Sequence, residues 1–349
     1  MPAELRFGII GCGEIAVQTC AGISAAPNAT VAMLMDPRPE VLADLAEFYG
    51  VPTTTQAEEV FSNPDIDAVY IATPHDLHAP LGIQAARAGK HVLVEKPIAT
   101  NLKDADTLIE TCRATGVKLG VAYLAQVDAG AAQARDYIHA GLLGDLIAVR
   151  MTALAHKPDY YWQGGYTRRV ATTWRQSKAR AGGGILIMNL VHDLNTVRWV
   201  TGLEVQRVYA EYDTLATPVE VEDTLGAVLR YTNGAIGVIQ AGSAMPGGAH
   251  KDARGPRIYG TKGQIILGDP PLIYRTEAPE GSAPNTWSEL RYSGPKGDRA
   301  EMIRRFAEAV LNGQEPPATG EDGRKALEII VAAYRSGEMG RPVELPLET

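Results

Sequence analysis

Residues 5–16 read LRFGIIGCGEIA, an apolar run that passes directly into closely spaced glycines. The run predicts a buried strand, and the residues that follow are compatible with a helix. Gly11, Gly13 and Ala16 fit the pattern G-x-G-x-x-G/A. Gly11 permits a tight turn, Gly13 lets the backbone approach a pyrophosphate, and Ala16 keeps helix and strand close. The stretch therefore predicts a strand, turn and helix that bind a dinucleotide.

The end of the next predicted strand indicates which dinucleotide binds. We expect the cofactor to lie along the whole loop, including Glu14 and Ile15. Asp36 ends the second predicted strand, where a carboxylate can accept hydrogen bonds from the adenosine ribose hydroxyls and would repel a 2′-phosphate. NAD is therefore favoured, while Arg38 keeps NADP open because a guanidinium pairs with that phosphate. Two alternatives remain: the loop serves packing alone, or Asp36 is a solvated residue that opens a turn.

Length, charge and cysteine usage exclude several classes of protein. At 349 residues the chain exceeds the usual size of a single hydrophobic core, so two domains are expected. Its 33 basic and 41 acidic residues give a net charge of -8, which offers no broad attraction to nucleic acid or an anionic membrane. The spacing of Cys12, Cys20 and Cys112 suits a reducing compartment, the cytoplasm. We expect no export signal, no membrane span and no catalytic metal, since no HExxH-like ligand set is present.

Apolar runs recur through the first third of the chain, separated by stretches compatible with helices. The runs are LRFGII, TVAMLMD, AVYIAT, HVLVEK and KLGVAY. They predict a doubly wound parallel sheet, a Rossmann domain, over residues 1–124. Later strands, such as DTLGAVLRYTNGAIGVIQAGS, follow one another without helices, and Asn233-Gly234 signals a hairpin. We therefore expect residues 125–349 to form an α+β substrate-binding domain with a large, mostly antiparallel open sheet, and residues 245–255 to be a mobile loop.

Polar residues follow the fourth and fifth predicted strands. In an open parallel sheet, ligands lie beyond the carboxyl ends of the strands. The side chains expected to face the cofactor there are Thr73, Pro74, His75, Glu95 and Lys96. Lys96 is the main catalytic candidate, because a lysine in an apolar cleft between a carboxylate and a proline can hydrogen-bond or deprotonate a substrate hydroxyl. The alternative is a surface lysine at a strand end.

Motifs spread along nearly the whole chain resemble one family. In order they are GCGEIA, Asp36, TPHDLH, AGKHVLVEKPIA, GGG followed eight residues later by His192, and AAYRSGEMGRPVELPL. This set is similar to that of the Gfo/Idh/MocA oxidoreductases, which include glucose-fructose oxidoreductase and inositol dehydrogenase. EKP after a fifth strand, together with the glycine pattern, is rather specific to them.

The resemblance implies hydride transfer between a nicotinamide and the hydroxyl-bearing carbon of a sugar or polyol. It implies a Rossmann domain followed by a domain whose open sheet face commonly mediates homodimers or homotetramers. The family's catalytic lysine falls on Lys96 and its helix histidine on His192. His78 matches a family position in the turn after the fourth strand, where a structural hydrogen bond is at least as well supported as catalysis, and we expect it to border the cofactor.

The chain also departs from the family pattern around the expected substrate. Many relatives carry Asp or Asn one helical turn before the histidine. In this chain Met188 stands at that place, and Asn195 replaces a carboxylate often found three residues after the histidine. Ala125 and Gln126 replace paired arginines after the sixth strand, and His75 replaces an asparagine after the proline of the fourth strand. The substrate of a particular relative therefore does not transfer to this chain.

A helix carrying His192 is the expected floor of the substrate site. Met188, His192 and Asn195 share one helix face at α-helical spacing. A thioether accepts no proton, so His192 acts with another partner, with water, or as a core residue. Gly182, Gly183 and Gly184 are expected either to present N–H groups to a ligand or to allow close packing.

Other substrate contacts are expected from the sixth strand, the helix and an aromatic loop. They are Tyr123, Met188, Asn189, Tyr161, Arg168 and Trp174. Aromatic rings pack on sugar rings, while arginine pairs with carboxylates or hydroxyls. Asn189 could instead cap a loop, and the aromatic residues could instead lie between domains.

These observations favour an NAD(P)-dependent dehydrogenase acting on a secondary alcohol of a sugar, sugar acid, cyclitol or related ring. Two other classes remain open. One is a sensor or regulator that has lost the chemistry. The other is an enzyme that uses bound NAD in a lyase or glycosidase cycle without net redox change.

Overall fold

The computed structural model describes residues 4–247, 255–277 and 283–347, so the predicted mobile loop lies mostly outside the described residues. The chain forms two compact units. The first comprises the described residues of Met1–Val127, Pro158–Gly182 and Gly297–Leu327. The second comprises those of Asp128–Lys157, Gly183–Lys296 and Glu328–Thr349. Both units draw on distant segments, and the boundary between residues 124 and 125 stays a prediction.

The first unit contains a parallel sheet with six strands among its described residues, in the order β3-β2-β1-β4-β5-β6. The strands are β1 Leu5–Ile10, β2 Ala29–Met35, β3 Thr53–Thr54, β4 Ala68–Ile71, β5 His91–Val94 and β6 Leu119–Val121. All neighbouring pairs are parallel, which confirms the predicted doubly wound sheet. The strand order reverses between β1 and β4, and ligands of such sheets bind at this switch point.

Helices cover the parallel sheet because its strands are apolar on both faces. The helices of the first unit are α1 Glu14–Ala25, α2 Ala43–Tyr49, α3 Ala57–Ser62, α4 His78–Arg87, α5 Leu102–Thr115, α7 Tyr161–Gly164, α8 Lys178–Ala181 and α10 Arg299–Leu311. The Asn101 side chain caps α5 by accepting from the N–H of Asp104 at 2.9 Å. Phe306 of α10 packs against Phe7 of β1 with ring centroids 6.0 Å apart, so a segment late in the sequence completes this core.

The second unit contains a nine-stranded sheet among its described residues, in the order β14-β13-β12-β11-β7-β10-β9-β8-β15. The strands are β7 Leu146–Leu154, β8 Val205–Asp213, β9 Thr224–Tyr231, β10 Ile236–Gly242, β11 Arg257–Gly260, β12 Gly263–Ile266, β13 Leu272–Arg275, β14 Trp287–Glu289 and β15 Val343–Glu344. β7 and β10 pair in parallel and the other neighbours pair antiparallel, which confirms the mostly antiparallel prediction. Gly234, at φ 89°, turns the predicted hairpin between β9 and β10.

The remaining helices are α6 Ala129–His139 and α9 Val191–Thr201 in the second unit, and α11 Gly320–Met339. A π-helical turn, Leu186–Leu190, leads directly into α9. In the part of the chain that the structure describes, no helix combines the length and apolar character needed to cross a membrane. The same residues contain no group of three or more His, Cys, Asp or Glu side chains placed to hold a metal ion.

Candidate active site

The glycine loop between β1 and α1 lies at the switch point of the parallel sheet. Gly11 has a φ of 91°, and a Cβ there would lie 2.9 Å from the carbonyl oxygen of Ala72 after β4. Only glycine suits both the conformation and this close approach. A Cβ on Gly13 would meet no described atom within 4 Å. Open space therefore borders the N-terminus of α1, where N–H groups favour an anion such as a pyrophosphate.

Asp36, which follows β2, is tied to this loop and to Arg38. Its buried carboxylate accepts from the N–H of Cys12 at 2.9 Å. Arg38 donates to it from the backbone N–H at 3.1 Å, from Nε at 3.0 Å and from Nη2 at 3.3 Å. The Arg38 side chain stays 39% exposed. The predicted ribose acceptor is thus held by the glycine loop, and a cation lies beside it.

Residues 158–182, which we call the 158–182 segment, contact the glycine loop and α2 within the first unit. The Glu14 carboxylate accepts from the backbone N–H groups of Tyr166 at 3.2 Å and Thr167 at 3.1 Å. Arg169 Nε donates to the Cys12 carbonyl oxygen at 3.0 Å. Its Nη atoms bind the Asp44 carboxylate at 2.5 and 2.6 Å, and this hydrogen bonding lowers the pKa of Asp44. Arg169 did not emerge from the sequence, because its partners are distant along the chain.

Lys96 follows β5 and is half-buried, beside a carboxylate with its own fixed partners. The Glu95 carboxylate accepts from the Tyr70 hydroxyl at 2.8 Å and from Arg299 Nη1 at 2.7 Å. The backbone N–H of Lys96 lies 3.3 Å from its other oxygen. Burial alone would raise the pKa of Glu95, but Arg299, Lys96 and these hydrogen bonds lower it to about 2. Glu95 therefore remains a fixed anion that orients the backbone of Lys96.

Two buried histidines organise the ends of β4 and β5. His78 places Nδ1 2.7 Å from the Pro97 carbonyl oxygen and Nε2 3.0 Å from that of Thr73. It therefore joins the strand end that carries Lys96 to the strand end that carries Thr73 and Pro74. His75 binds the carbonyl oxygen of Ala181 through Nδ1 at 2.8 Å. Burial lowers the pKa of both imidazoles.

The aromatic residues predicted to contact substrate also belong to the first unit. Trp174 packs against His75, with ring centroids 4.6 Å apart. Tyr161 is buried and packs against Tyr166 at 4.7 Å. Arg168 is exposed and stacks over Tyr160 at 3.9 Å. Trp174 is thus adjacent to the strand ends, whereas Arg168 faces solvent. Tyr123, two residues beyond β6, is buried.

In the second unit, a buried carboxylate caps the helix that carries His192. Glu222 accepts from the N–H groups of Gly184 at 2.6 Å and Leu186 at 3.0 Å, and from the Tyr334 hydroxyl at 2.9 Å. A Cβ on Gly183 would collide with the Tyr334 hydroxyl, and one on Gly184 with the Glu222 backbone. Close packing is therefore the role the structure shows for these glycines. The N–H groups of Gly184 and Leu186 bind Glu222, so the contacts of Gly184 favour close packing, one of the two roles expected for these glycines.

The segment before His192 is a π-helical turn rather than the expected regular α-helix. The N–H of Val191 bonds the carbonyl oxygen of Leu186, five residues earlier. The prediction that Met188 and His192 share one helix face assumed α-helical spacing. A π-helical turn has more residues per turn, so that spacing does not hold here. Met188 is buried, while His192 is half-buried. Such turns are frequent at functional sites.

Asn189 has a partner that sequence reasoning missed. Its Oδ1 accepts from Nζ of Lys157 at 2.6 Å. Lys157, three residues after β7, is buried, although lysine is rarely buried without a partner. The two residues are 32 positions apart in the sequence and belong to no common motif, so the sequence did not predict the pair.

The structure thus brings together two sets of predicted residues, each within one unit. The first unit gathers the glycine loop, Asp36, Arg38, the ends of β4 and β5 with Lys96, and Trp174. The second unit gathers Met188, Asn189 and His192 on one helix. The first set can bind a dinucleotide and present an ammonium group, and the second can present an imidazole.

Comparison with known proteins gives a consistent result. The profile of an oxidoreductase family with an NAD-binding Rossmann fold, Gfo/Idh/MocA, matches residues 5–123, and the profile of the Gfo/Idh/MocA C-terminal domain matches residues 131–266. The chain is 30% identical to 1,5-anhydro-D-fructose reductase of Ensifer adhaerens, over 97% of this chain and 98% of that protein. It is 27% identical to myo-inositol 2-dehydrogenase of Thermotoga maritima, over 98% of each.

A solved structure is similar over the same length. It is the crystal structure of the WlbA dehydrogenase from Bordetella pertussis in complex with NADH and UDP-GlcNAcA. The TM-score is 0.84 at 26% identity, with 100% of this chain and 99% of that chain covered.

Proposed function

Because the chain belongs to the Gfo/Idh/MocA oxidoreductase family, we propose that it is an NAD-dependent dehydrogenase of a carbohydrate-like substrate. It would transfer a hydride between the nicotinamide and the carbon that bears a secondary alcohol on a sugar, sugar acid, cyclitol or related ring. One observation carries the proposal. Lys96 follows β5, and the glycine loop follows β1 of the same parallel sheet. Asp36 lies beside that loop and accepts a hydrogen bond from it.

The residues of the first unit suit a dinucleotide. Open space beside Gly13 and the N-terminus of α1 would receive the pyrophosphate, and Asp36 would face the adenosine ribose. When bound, the nicotinamide would accept or donate the hydride. The remaining steps belong to side chains of the protein, which must bind the ring and move one proton.

Lys96 would polarise the substrate hydroxyl and take up its proton. The Glu95 anion and the His78 bridge hold the backbone on both sides of its side chain, so the peptide that carries the ammonium group would not reorganise during the reaction. His192 would share the proton and position the ring, with Asn189, Trp174, Tyr161 and Tyr123 as further candidates for substrate contacts. Holding both reactants in near-attack geometry would supply much of the acceleration.

The proposal is tested by mixing the protein and NAD+ with a panel of polyols, aldoses, sugar acids and cyclitols. We expect the absorbance of reduced cofactor to rise with at least one class. Calorimetric titration with NAD+ alone checks cofactor binding separately. Binding of NAD+ without reduction by any member of a wide panel would contradict the dehydrogenase and favour a regulator or an internal redox cycle.

In this proposal Arg38 determines how tightly the site binds NADP+, which carries a 2′-phosphate, relative to NAD+. Its guanidinium offsets the charge of Asp36 and remains partly exposed. We expect NADP+ to bind more weakly than NAD+ but measurably. Arg38→Leu should weaken NADP+ binding about tenfold or more, since a charge-assisted hydrogen bond contributes about 1.5–3 kcal/mol, and should change NAD+ binding little. Titration calorimetry with both nucleotides measures this, with Arg87→Leu as the control. Equal weakening of both would assign Arg38 a structural role only.

The open face of the nine-stranded sheet is our proposed surface for a homodimer or homotetramer. One row of cross-strand neighbours contains Tyr209, Val228, Val238, Arg150, Arg257, Ile266 and Leu272. Tyr209, Val228 and Val238 are 37%, 50% and 47% exposed. A contiguous apolar patch of this kind is typical of protein interfaces.

Val238→Glu is expected to break such an oligomer, because an isologous contact would bury the new carboxylate in both subunits. Light scattering during gel filtration should give a multiple of 37.3 kDa for the parent and about 37.3 kDa for the variant. Leu215→Glu is the control, since Leu215 is 68% exposed and lies outside the strands. A parent protein of monomeric mass would refute the proposed surface.

The three cysteines bear on the proposed location. Cys12, Cys20 and Cys112 are buried free thiols. Burial raises the pKa of all three, which keeps them in the unreactive thiol form. This agrees with the cytoplasmic location that we propose.

A further inference from the structure

Cys12, in the middle of the glycine loop, has both sides of its backbone held by side chains. Its N–H donates to the Asp36 carboxylate at 2.9 Å, and its carbonyl oxygen accepts from Arg169 Nε at 3.0 Å. The carbonyl group of Cys12 and the N–H of Gly13 belong to one trans peptide, so they point to opposite sides of it. The contact with Arg169 therefore determines where the N–H of Gly13 points.

The N–H group of Gly13 remains available to a ligand. Among the described residues, none accepts a hydrogen bond from it, and a Cβ on Gly13 would meet no described atom within 4 Å. By contrast, the N–H of Gly11 donates to the Met35 carbonyl oxygen at 2.8 Å. Backbone donors of half-buried loops are normally paired, so a donor left open by the protein is one that a ligand or water satisfies. The N–H of Gly13 is therefore suited to an oxygen of the pyrophosphate.

Arg169 is fixed in place by its other contacts. Its Nη atoms bind the Asp44 carboxylate at 2.5 and 2.6 Å, and Nη2 also donates to the carbonyl oxygen of Val41 at 2.7 Å. The Arg169 side chain is only 16% exposed. Each of its three nitrogen atoms already has an acceptor in the protein, and its charge is paired with that of Asp44. Arg169 therefore acts on the glycine loop through the geometry of one hydrogen bond rather than as a free cation beside a phosphate.

The backbone next to Arg169 adopts a rare conformation. Arg168 has a φ of 55°, in the left-handed region that residues other than glycine seldom occupy. The turn before it is tied to Glu14, whose carboxylate accepts from the N–H groups of Tyr166 at 3.2 Å and Thr167 at 3.1 Å. Conformations of this kind persist where the surrounding contacts over-determine them. Since the Arg168 side chain itself faces solvent, the effect of this turn is to bring Arg169 to the glycine loop.

We propose that Arg169 is a cofactor-positioning residue, which orients the peptide between Cys12 and Gly13 so that the N–H of Gly13 faces the pyrophosphate of NAD. The inference rests on the NAD-binding part of the proposed function. Because the loop is held in its binding orientation before the cofactor arrives, less conformational freedom is lost on binding. Arg169 acts through Cys12, so its loss weakens ligands that carry a pyrophosphate and spares ligands that lack one.

ADP and adenosine separate this role from a general disturbance of the cofactor site. Arg169→Leu should weaken ADP binding about tenfold, the effect expected for the loss of one hydrogen bond to a charged group. Adenosine has no pyrophosphate, so its affinity should change little. Displacement of bound NADH, followed by its fluorescence, measures both affinities. Arg113→Leu, which breaks an exposed ion pair with Glu321 in the same unit, is the matched control. Equal weakening of ADP and adenosine, or an unchanged ADP affinity, would overturn the proposal.

Asp44→Asn tests the same role while Arg169 stays in place. If Arg169 positions the loop, loss of the charge that anchors its guanidinium should weaken ADP binding. If the guanidinium instead contacted the pyrophosphate directly, release from a competing carboxylate should tighten ADP binding, and that result would overturn the proposal. In turnover, Arg169→Leu should raise KM for NAD+ by a larger factor than it lowers kcat.

Failure of the proposed function gives a different result from failure of this role. A parent protein that binds neither NADH nor ADP would overturn the NAD site and the role of Arg169 together. A parent that binds both but reduces NAD+ with no member of the substrate panel would overturn the dehydrogenase alone, and the ADP affinities of the variants would still decide the role of Arg169.

Discussion

Replacing Lys96 by methionine is expected to lower kcat by about a thousandfold, the middle of the range for loss of a positioned acid or base. Methionine keeps the length and apolar volume of the stem but provides neither charge nor proton. Affinity for NAD+ should change only a few-fold, because the predicted pyrophosphate and ribose contacts lie at the glycine loop and Asp36. Initial rates with saturating cofactor, together with calorimetric titration of NAD+, measure the two quantities separately.

Lys103→Met provides the matched control for this loss of a lysine. Lys103 is an exposed residue of α5, so its replacement should leave kcat unchanged. If Lys96→Met kept turnover within a few-fold of the parent, Lys96 would be a surface lysine at a strand end, and the proposed mechanism would need another group to move the hydroxyl proton.

Replacing Arg299 by leucine is expected to destabilise the protein by about 3 kcal/mol at neutral pH. The change leaves the buried Glu95 anion without its main partner, and removing one member of a buried ion pair costs roughly that amount. Arg299→Leu combined with Glu95→Gln should recover part of the loss, because the uncompensated charge is then absent. Urea unfolding of the parent, both single variants and the double variant measures this coupling.

The destabilisation caused by Arg299→Leu should become smaller as the pH falls. The pKa of Glu95 in the folded protein is about 2, below its ordinary value of 4.5. Its ionisation therefore contributes stability that is fully present above about pH 4.5 and is lost as the pH falls towards about 2. The difference between parent and variant should shrink over that interval. Arg304→Leu, which breaks a surface pair with Glu301 on the same helix, should cost less than about 1 kcal/mol. A pH-independent loss in Arg299→Leu would indicate a packing effect alone.

Patterns of local periodicity were sufficient to predict the architecture. Strand runs separated by helical stretches gave the parallel sheet, and Asn233-Gly234 marked a real hairpin. The same patterns carried no information about the parallel pairing of β7 with β10, because the two strands are separated by more than 80 residues. They also could not reveal that the 158–182 segment and α10 belong to the first unit, since both are held there by tertiary contacts.

Short sequence motifs predicted those parts of the candidate site whose residues the structure places at the switch point of the parallel sheet or at its strand ends. The glycine loop, Asp36 and the EKP tripeptide are of this kind. Residues that act through distant partners were missed: Arg169 against Cys12, Lys157 against Asn189, and Glu222 against Gly184.

The hydroxyl group of Tyr334 contacts two residues that are far from it in the chain. It donates to Glu222, and it occupies the space that a side chain on Gly183 would need. A side chain at position 183 requires a smaller residue at 334, and losing the hydroxyl at 334 leaves the acid at 222 with one donor fewer. Such positions cannot drift independently over evolutionary time. Among related sequences we expect the three to be exchanged together or not at all, so that the terminal AAYR motif and the central GGG motif would be inherited as one unit although more than a hundred residues separate them.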